Sequence, residues 1–353
     1  MIKVAALTSG KDVPSTRYRV RQHIAPLLDY GIKVQEHCPV INKYQSMPLW
    51  PKGIRSSYAL PFHLIWQLTK LSTRLPGILS ASRADVVWLQ REMLPGYPTL
   101  EKFLKRPLLF DVDDAIWMSK PFGKKMAKAI ALRSSYVIAG NEYIADWFSA
   151  YSHNIAIVPT AVDIDRYNTD RSEDFDGKFI VGWIGTSGNL KYLQEIESGI
   201  RKFLKEYKNS RLLVVCDKSP KFIRLGDEEV IYVPWSPENE VRMMQNMDVG
   251  LMPLANEPWA SGKCSFKMLQ YMSCGIPALV SPVGMNNEVL AKGEVGFSAE
   301  SDHEWYEKLV DLKQNSELRN AIGKQGRKVV VHEYSRTVVS KKLANLMKLV
   351  VSN

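Results

Sequence analysis

Short apolar runs alternate with amphipathic stretches along almost the whole chain. In the first half, the runs at 2–9, 33–40, 85–90, 108–112, 136–139 and 155–159 read as strands. Helical periodicity fills the intervals at 16–30, 61–79, 99–105, 123–133 and 143–151. The runs are rich in Val, Ile and Leu at consecutive positions, which predicts strands covered on both faces, as in a parallel sheet flanked by helices. Residues 163–178 are polar and acidic, lack apolar periodicity and read as a connection. The pattern then restarts, with strands at 179–185, 212–216, 230–233, 249–253, 278–281 and 295–298. Helices fall at 190–207, 238–246, 265–273, 302–314 and 316–331. A last amphipathic helix, 335–350, follows a break at 332–334 and is free to pack across either half. The expected class is α/β: two doubly wound parallel-sheet domains facing across a cleft. Their boundaries fall at 1–163 and 178–334, with a linker at 164–177 and a C-terminal helix at 335–353.

Size agrees with this division, since 353 residues exceed what a single core usually covers. Hydrophobic content of 45% with 24% charged residues is ordinary for a globular chain. The longest apolar runs are far too short to span a bilayer, and the chain opens directly on a strand rather than on a signal sequence. Four scattered cysteines have neither zinc nor redox spacing. The expectation is a cytoplasmic, reduced protein.

The net charge of +10 is uneven: residues 1–165 hold 21 Lys and Arg against 13 Asp and Glu, the remainder 26 against 24. A basic first half suits an anionic partner. The stretches 58–74 and 122–133 combine apolar and basic positions. Each reads either as a helix lying on anionic lipid at the inner face of a membrane or as a core helix with a solvated basic edge. No RNA-binding signature accompanies the basic residues, so a nucleic-acid partner is not expected.

The stretch 261–284 carries the most chemistry. It reads as a loop, a helix start at Gly262, Lys263, Cys264 and Ser265, an amphipathic helix, a Gly275-Ile276-Pro277 stop and a buried strand. A helix start offers unpaired N–H groups and partial positive charge to an anion. Lys263 and Lys267, four apart, stand on one face there and oppose the helix dipole. They are either solvated or compensated by a bound anion. The turn after 179–185, with Gly185, Thr186 and Lys191, has the same strand, glycine, helix order. Trp235, between Pro234 and Pro237 after Val233, is placed to stack on a base, or is a plain surface tryptophan.

In the first half, the first strand ends at the Gly10 turn, with Arg17 and Arg19 in the following helix. Arginine forks there suit carboxylate or phosphate recognition. Asp111, Asp113 and Asp114 follow a strand, but strand alternation sends Asp114 to the opposite face from the other two. Capping the next helix, or pairing with Arg91, is at least as good a reading as a metal site. G-x-G-x-x-G, G-x-x-x-x-G-K-[ST], HExxH and CxxC are all absent.

Several of these stretches together resemble the retaining nucleotide-sugar glycosyltransferases of group 1, with the GT-B fold of two Rossmann-like domains. The similarity rests on Val158-Pro159-Thr160-Ala161-Val162-Asp163, Gly182-Trp183-Ile184-Gly185, Asp248 to Leu254 and Leu269-Gln270-Tyr271-Met272-Ser273-Cys274-Gly275-Ile276-Pro277. The last is similar to the family's LEAMACGVPVV. It departs in one respect: the family's two glutamates, eight apart, fall on Gly262 and Gln270. The histidine that ends the family's first-domain strand falls on Asp113.

The resemblance implies transfer of a sugar from a nucleoside diphosphate sugar to a glycan, lipid-linked or other hydroxyl acceptor, with retention of configuration. It implies a role in cell-surface polysaccharide or glycoconjugate synthesis. Neither a metal nor a cofactor is expected. Lys263 and Lys267 take the diphosphate, with Asp113 and Asp114 as the other catalytic candidates. Gly10, Gly185, Thr186, Lys191, Val233, Trp235, Cys264, Ser265, Phe266 and Gln270 are the donor-binding candidates. Arg17 and Arg19 lie on the acceptor side, and acceptor choice is expected in the proline-rich loop 41–60. The alternative is an inactive nucleotide-sugar or glycan-binding protein of the same fold.

Overall fold

The computed structural model of the chain describes residues 1–47, 56–171, 175 and 177–352, with the backbone alone at 56–60. Residues 48–55 of the proline-rich loop lie outside that set.

The described residues fold into two compact units, Met1–Ala161 with Arg336–Asn353, and Val162–Ser335. The first contains β1 (Ile2–Leu7), β2 (Ile32–His37), β3 (Val86–Gln90), β4 (Leu108–Val112), β5 (Tyr136–Ala139) and β6 (Ile155–Ile157). They form one sheet in the order β2-β1-β3-β4-β5-β6, parallel throughout. The second contains β7 (Phe179–Gly185), β8 (Ser210–Cys216), β9 (Val230–Pro234), β10 (Val249–Met252), β11 (Ala278–Val280) and β12 (Gly296–Ser298). Its order is β12-β11-β10-β7-β8-β9, again all parallel. Every apolar run of the sequence is a strand, because β3 and β4 and nearly all of β7 and β8 are buried on both faces. Strand order reverses between β1 and β3 and between β7 and β10. Doubly wound sheets bind ligands at such switch points, outside the strands' carboxyl ends.

The last helix, Arg336–Ser352, belongs to the first unit. Val339, Leu343 and Met347 are buried with Val4, Leu27 and Trp88. The segment 164–177 follows into the second unit, with Tyr167 buried.

The helices divide more finely than their periodicity. The 61–79 pattern is two helices, Ser56–Ser72 and Leu75–Ala81, with Pro76 in the first turn of the second, where its missing N–H costs nothing. The 190–207 pattern breaks at Ile196 into Leu190–Glu195 and Glu197–Glu206. Two short helices, Pro258–Ser261 and Met285–Leu290, carry too few turns to show a period. The break at 332–334 is a π-helical turn, Val330–Tyr334, continuing the helix Ser316–Val329.

Candidate functional site

At the switch point of the second sheet, two glycines admit the elements that build the site. Gly250 of β10 and Gly182 of β7 are register partners. A Cβ on Gly250 would collide with the Tyr271 ring, and one on Gly182 with Met247. Tyr271 donates to the Leu251 carbonyl (3.2 Å) and accepts from the Ile184 amide (3.1 Å). The helix Phe266–Ser273 is thereby fixed across β7 and β10.

One turn before Tyr271 on this helix is Lys267. Its ammonium lies 4.8 Å from the centroid of the buried Trp183 ring and crowds the end of β7. A Cβ on Gly185 would sit 2.6 Å from the Lys267 nitrogen, so only glycine leaves that space. Burial, and then the neighbouring Lys263, lower the Lys267 ammonium to about 7. Lys267 makes no ion pair among the described residues. Lys267 is the second residue of the helix Phe266–Ser273.

Ser265 is left-handed (φ 46°), unusual for a residue other than glycine, and no side chain caps the helix. Its hydroxyl donates to Asn286 Oδ1 (2.6 Å), and Asn286 Nδ2 donates to the Ser281 carbonyl (2.9 Å). Ser281 Oγ accepts from the Leu254 amide (3.0 Å). Ser265 and Cys264 are buried, so their side chains build the frame of this corner, while Phe266 is partly exposed. Gly284 (φ 53°) closes the frame, since a Cβ there would meet the Ser261 carbonyl at 2.5 Å.

The turn after β7 already holds an anion of the protein's own. Asp217, following β8, accepts from the Ser187 amide (2.6 Å) and hydroxyl (2.9 Å). Burial opposes its ionised form, but these bonds outweigh it and hold the carboxyl below its ordinary range. Exposed Thr186 accepts from Asn189 (3.0 Å). Lys191 is exposed and 3.7 Å from Glu257, which also accepts from the Tyr192 hydroxyl (2.6 Å). Val233 lies on β9 opposite Val215, and Trp235 beyond it is 40% exposed, its amide donating to the Cys216 carbonyl (2.9 Å).

Gln270 departs from its expected role. It is buried, and its amide nitrogen donates to the Tyr167 hydroxyl (2.7 Å) and to Glu240 Oε1 (3.3 Å). Glu240 also pairs with Arg166 (3.3 Å). Gln270 thus ties Tyr167 to the body of the second unit, with its nitrogen already engaged.

In the first unit, the expected acceptor-side Arg19 is buried. Its guanidinium holds Asp111 (2.8 Å) and donates to the Val158 carbonyl (2.7 Å), a core role that the neighbouring apolar residues did not signal. Arg17 is partly exposed over the Tyr18 ring. Gly10 (φ +155°) is packed against Asn42 and Val13, each 3.1 Å from a Cβ built there. Asp113 and Asp114 both pair with Arg91, at 2.5 Å and 3.5 Å, so the pairing alternative is the one observed. Arg91 is left-handed (φ 56°) at the end of β3, which turns its side chain onto the two aspartates. Burial works against the Asp113 carboxylate, but Arg91 prevails and holds its pKa below the ordinary value. Among the described residues no three His, Cys, Asp or Glu side chains are grouped to hold a metal ion.

Residues 178–315 match the family model described as glycosyl transferases group 1. The matched residues fall within the second unit. No curated protein sequence matches the chain. Among solved structures, the sucrose-phosphate synthase of Thermosynechococcus elongatus is similar over 100% of both chains at 13% identity, TM-score 0.71. Anabaena HepE in complex with UDP and glucose is similar over 99% of this chain and 100% of its own at 14% identity, TM-score 0.69. WaaG, a glycosyltransferase involved in lipopolysaccharide biosynthesis, is similar over 98% of this chain and 99% of its own at 15% identity, TM-score 0.65. The chain has the GT-B fold, as its sequence resemblance implied.

Within the second unit, the absence of a glutamate at position 270 has a structural reason. A glutamate at 270 would place a second buried carboxylate beside Glu240, whereas glutamine donates to it. Of the residues that sequence reasoning passed over, Asp217 and Asn286 stand out. Asp217 opens the polar run Asp217-Lys218-Ser219 and Asn286 the run Asn286-Asn287-Glu288, each after apolar positions, a pattern too common to single out.

Proposed function

We propose that the protein transfers a sugar from a nucleoside diphosphate sugar to a hydroxyl acceptor with retention of configuration and without a metal ion. The observation that carries this reading is Lys267: a partly buried ammonium at the carboxyl end of β7, set at the start of a helix with no carboxylate among the described residues paired to it. Such a group lacks a counter-ion, and a diphosphate supplies one. The likeness to HepE, which is in complex with UDP and glucose, favours the same ligand class.

As the glycosidic bond breaks, negative charge grows on the leaving diphosphate. Lys267 and Lys263, with the first amides of the Phe266–Ser273 helix, meet that charge in a site organised before substrate arrives. Trp235 and Val233 take the base. Lys191 joins the diphosphate by leaving Glu257, a loose, exposed pair. With no side chain assigned as nucleophile, the acceptor attacks from the leaving-group side, and the donor's own phosphate takes its proton. Gln270 acts here as a brace.

The acceptor is proposed to be glycan or lipid-linked, in cell-surface polymer synthesis at an anionic membrane face. The helix Gly123–Ala131 supports this, presenting Lys124, Lys125 and Lys128 to solvent beside exposed Phe122. The helix Ser56–Ser72 supports it by its apolar side, where Phe62, Leu64, Ile65 and Leu68 are exposed, and not by its basic one: Lys70 is buried on the Lys43 carbonyl, and just beyond the helix Arg74 is buried on the Thr8 carbonyl. No helix among the described residues is long and apolar enough to cross a membrane.

A thermal-shift screen with UDP-, GDP-, ADP- and dTDP-sugars, followed by hydrolysis assays on the stabilising donor, tests the reading. Stabilisation with slow donor hydrolysis supports an enzyme, since binding to the folded state raises its stability. Stabilisation with no turnover of any donor leaves the inactive binding protein, and no stabilisation contradicts both.

A further inference from the structure

A second cavity opens at the other end of the second sheet, beside the amino ends of β10 and β11. It encloses about 580 Å³, within the roughly 300–1,000 Å³ of small-molecule sites. Among the described residues its walls carry five cations, Arg171, Arg319, Lys324, Arg327 and Lys328, and one carboxylate, Asp248. That carboxylate is already engaged, by Arg171 (3.0 Å) and by the Ile180 amide (2.7 Å). Arg327 is fixed on the carbonyls of Tyr167 (3.0 Å) and Ser273. Lys324 and Lys328 are exposed, and their ammonium groups make no hydrogen bond or ion pair among the described residues; the Lys328 carbonyl meets His332 Nδ1 (2.7 Å).

Helix-end electrostatics do not account for this excess. Cations are favoured in a helix's last turn, which explains Arg327 and Lys328 at the end of Ser316–Val329. Asp248 accounts for Arg171 (3.0 Å) and Arg319 (4.0 Å), and Arg319 also donates to the Leu312 carbonyl (2.7 Å); neither effect explains Lys324, further back on that helix. The cavity wall is also irregular where it is most basic. The π-helical turn Val330–Tyr334 contributes Val331 and His332 to the lining, and such turns concentrate at functional sites. Close packing of Gly323 on the Gly275 carbonyl brings this helix against the floor.

We infer that this cavity binds a small, multiply charged phosphate compound, at a site separate from the donor position. The two sites share one element. The helix Phe266–Ser273 begins near Lys267 and ends at Cys274 and Gly275, which line the cavity. Eight residues make that span about 12 Å, so a ligand in the cavity touches the far end of the helix that places Lys267. The inference does not depend on the donor reading.

Titration calorimetry of the full chain with inorganic pyrophosphate, in a Lys263→Ala/Lys267→Met background, tests it. That background removes the other cationic position. Saturable binding that weakens tenfold or more on adding Lys324→Glu/Lys328→Glu is the expected result. The neutral pair Lys324→Gln/Lys328→Gln should give a smaller loss in the same direction. Both positions are exposed, and a melting curve checks that each variant folds. No binding in the background, or binding that the substitutions leave unchanged, overturns the inference. Sedimentation with phosphatidylglycerol vesicles separates the two sources of phosphate. Vesicle binding through Lys324 and Lys328 without pyrophosphate affinity also overturns it, because the cations would then serve a lipid surface.

Discussion

The ammonium of Lys267 lies 4.8 Å from the centroid of the Trp183 ring, both held at the end of β7. The ring's negative face offsets part of the cost of placing a charge there, an effect worth about 0.5–2 kcal/mol. It does not restore the charge to its solution state, since burial and Lys263 bring the ammonium to about 7. A cation held at such a cost, without an internal carboxylate, is set for an anion from outside. Lys267→Met should therefore lower turnover by two orders of magnitude or more while leaving the melting temperature unchanged or higher. Turnover assays and melting curves on the same preparation check the two halves of this expectation.

The space between Gly185 and Lys267 gives a second expectation. Gly185→Ala places a methyl 2.6 Å from the Lys267 nitrogen and 2.8 Å from the Trp183 ring. The lysine tip is flexible and must swing away. The buried Trp183 ring has no such freedom, so donor affinity should fall about tenfold, as read by calorimetric titration, with a stability loss of about 1–3 kcal/mol by denaturant unfolding.

Proton linkage follows from the lowered Lys267. A base whose folded-state value is depressed leaves the folded protein with fewer bound protons than the unfolded chain between about 7 and the ordinary lysine value of 10.5. Stability from this group therefore rises with pH across that window. Diphosphate binding favours the charged form and pulls the other way. Nucleotide affinity should decline as pH rises above about 7, with proton uptake on binding at pH 8. Titrations in buffers of different ionisation enthalpy measure that uptake, and Lys267→Met should abolish it.

Gln270→Glu tests why the family's carboxylate is absent here. The substituted side chain would face Glu240 across the 3.3 Å now spanned by a hydrogen bond. It should cost about 1–3 kcal/mol at pH 7, as expected where a buried hydrogen-bonded group loses its partner. The loss should shrink as pH falls, because protonation of one carboxyl restores a donor. Denaturant unfolding at pH 5 and pH 7.5 measures both.

In the first unit, Asp113→Asn removes one partner of a buried pair with Arg91. About 3 kcal/mol of stability should be lost, measured by denaturant unfolding. A variant of full stability would mean that Arg91 is adequately held by Asp114.

Every strand found among the described residues was legible in the sequence, most plainly the central ones covered on both faces, which leave unbroken apolar runs such as Val86-Val87-Trp88-Leu89. Helix subdivision was not, since the stop at Ile196 and the restart at Pro76 depend on packing and on one residue's missing N–H. Lys267 was legible as a cation near a helix start, but its contact with Trp183 joins residues on separate elements. Arg19 and Gln270 misled for one reason: a polar side chain reads as a surface group unless its buried partner is known, here Asp111 and Glu240. Asp113 and Asp114 were readable either way, and Arg91, turned by its left-handed backbone, decided between pairing and exposure.

The central claim is that Lys267 is the anchor of a nucleoside diphosphate. Calorimetric titration of the nucleoside diphosphate that stabilises the protein most, into wild type and Lys267→Met at pH 6.5, tests it most directly. One saturable site that weakens at least tenfold in the variant is the predicted result. Equal affinity in the two proteins, or no saturable binding to the wild type, would contradict it.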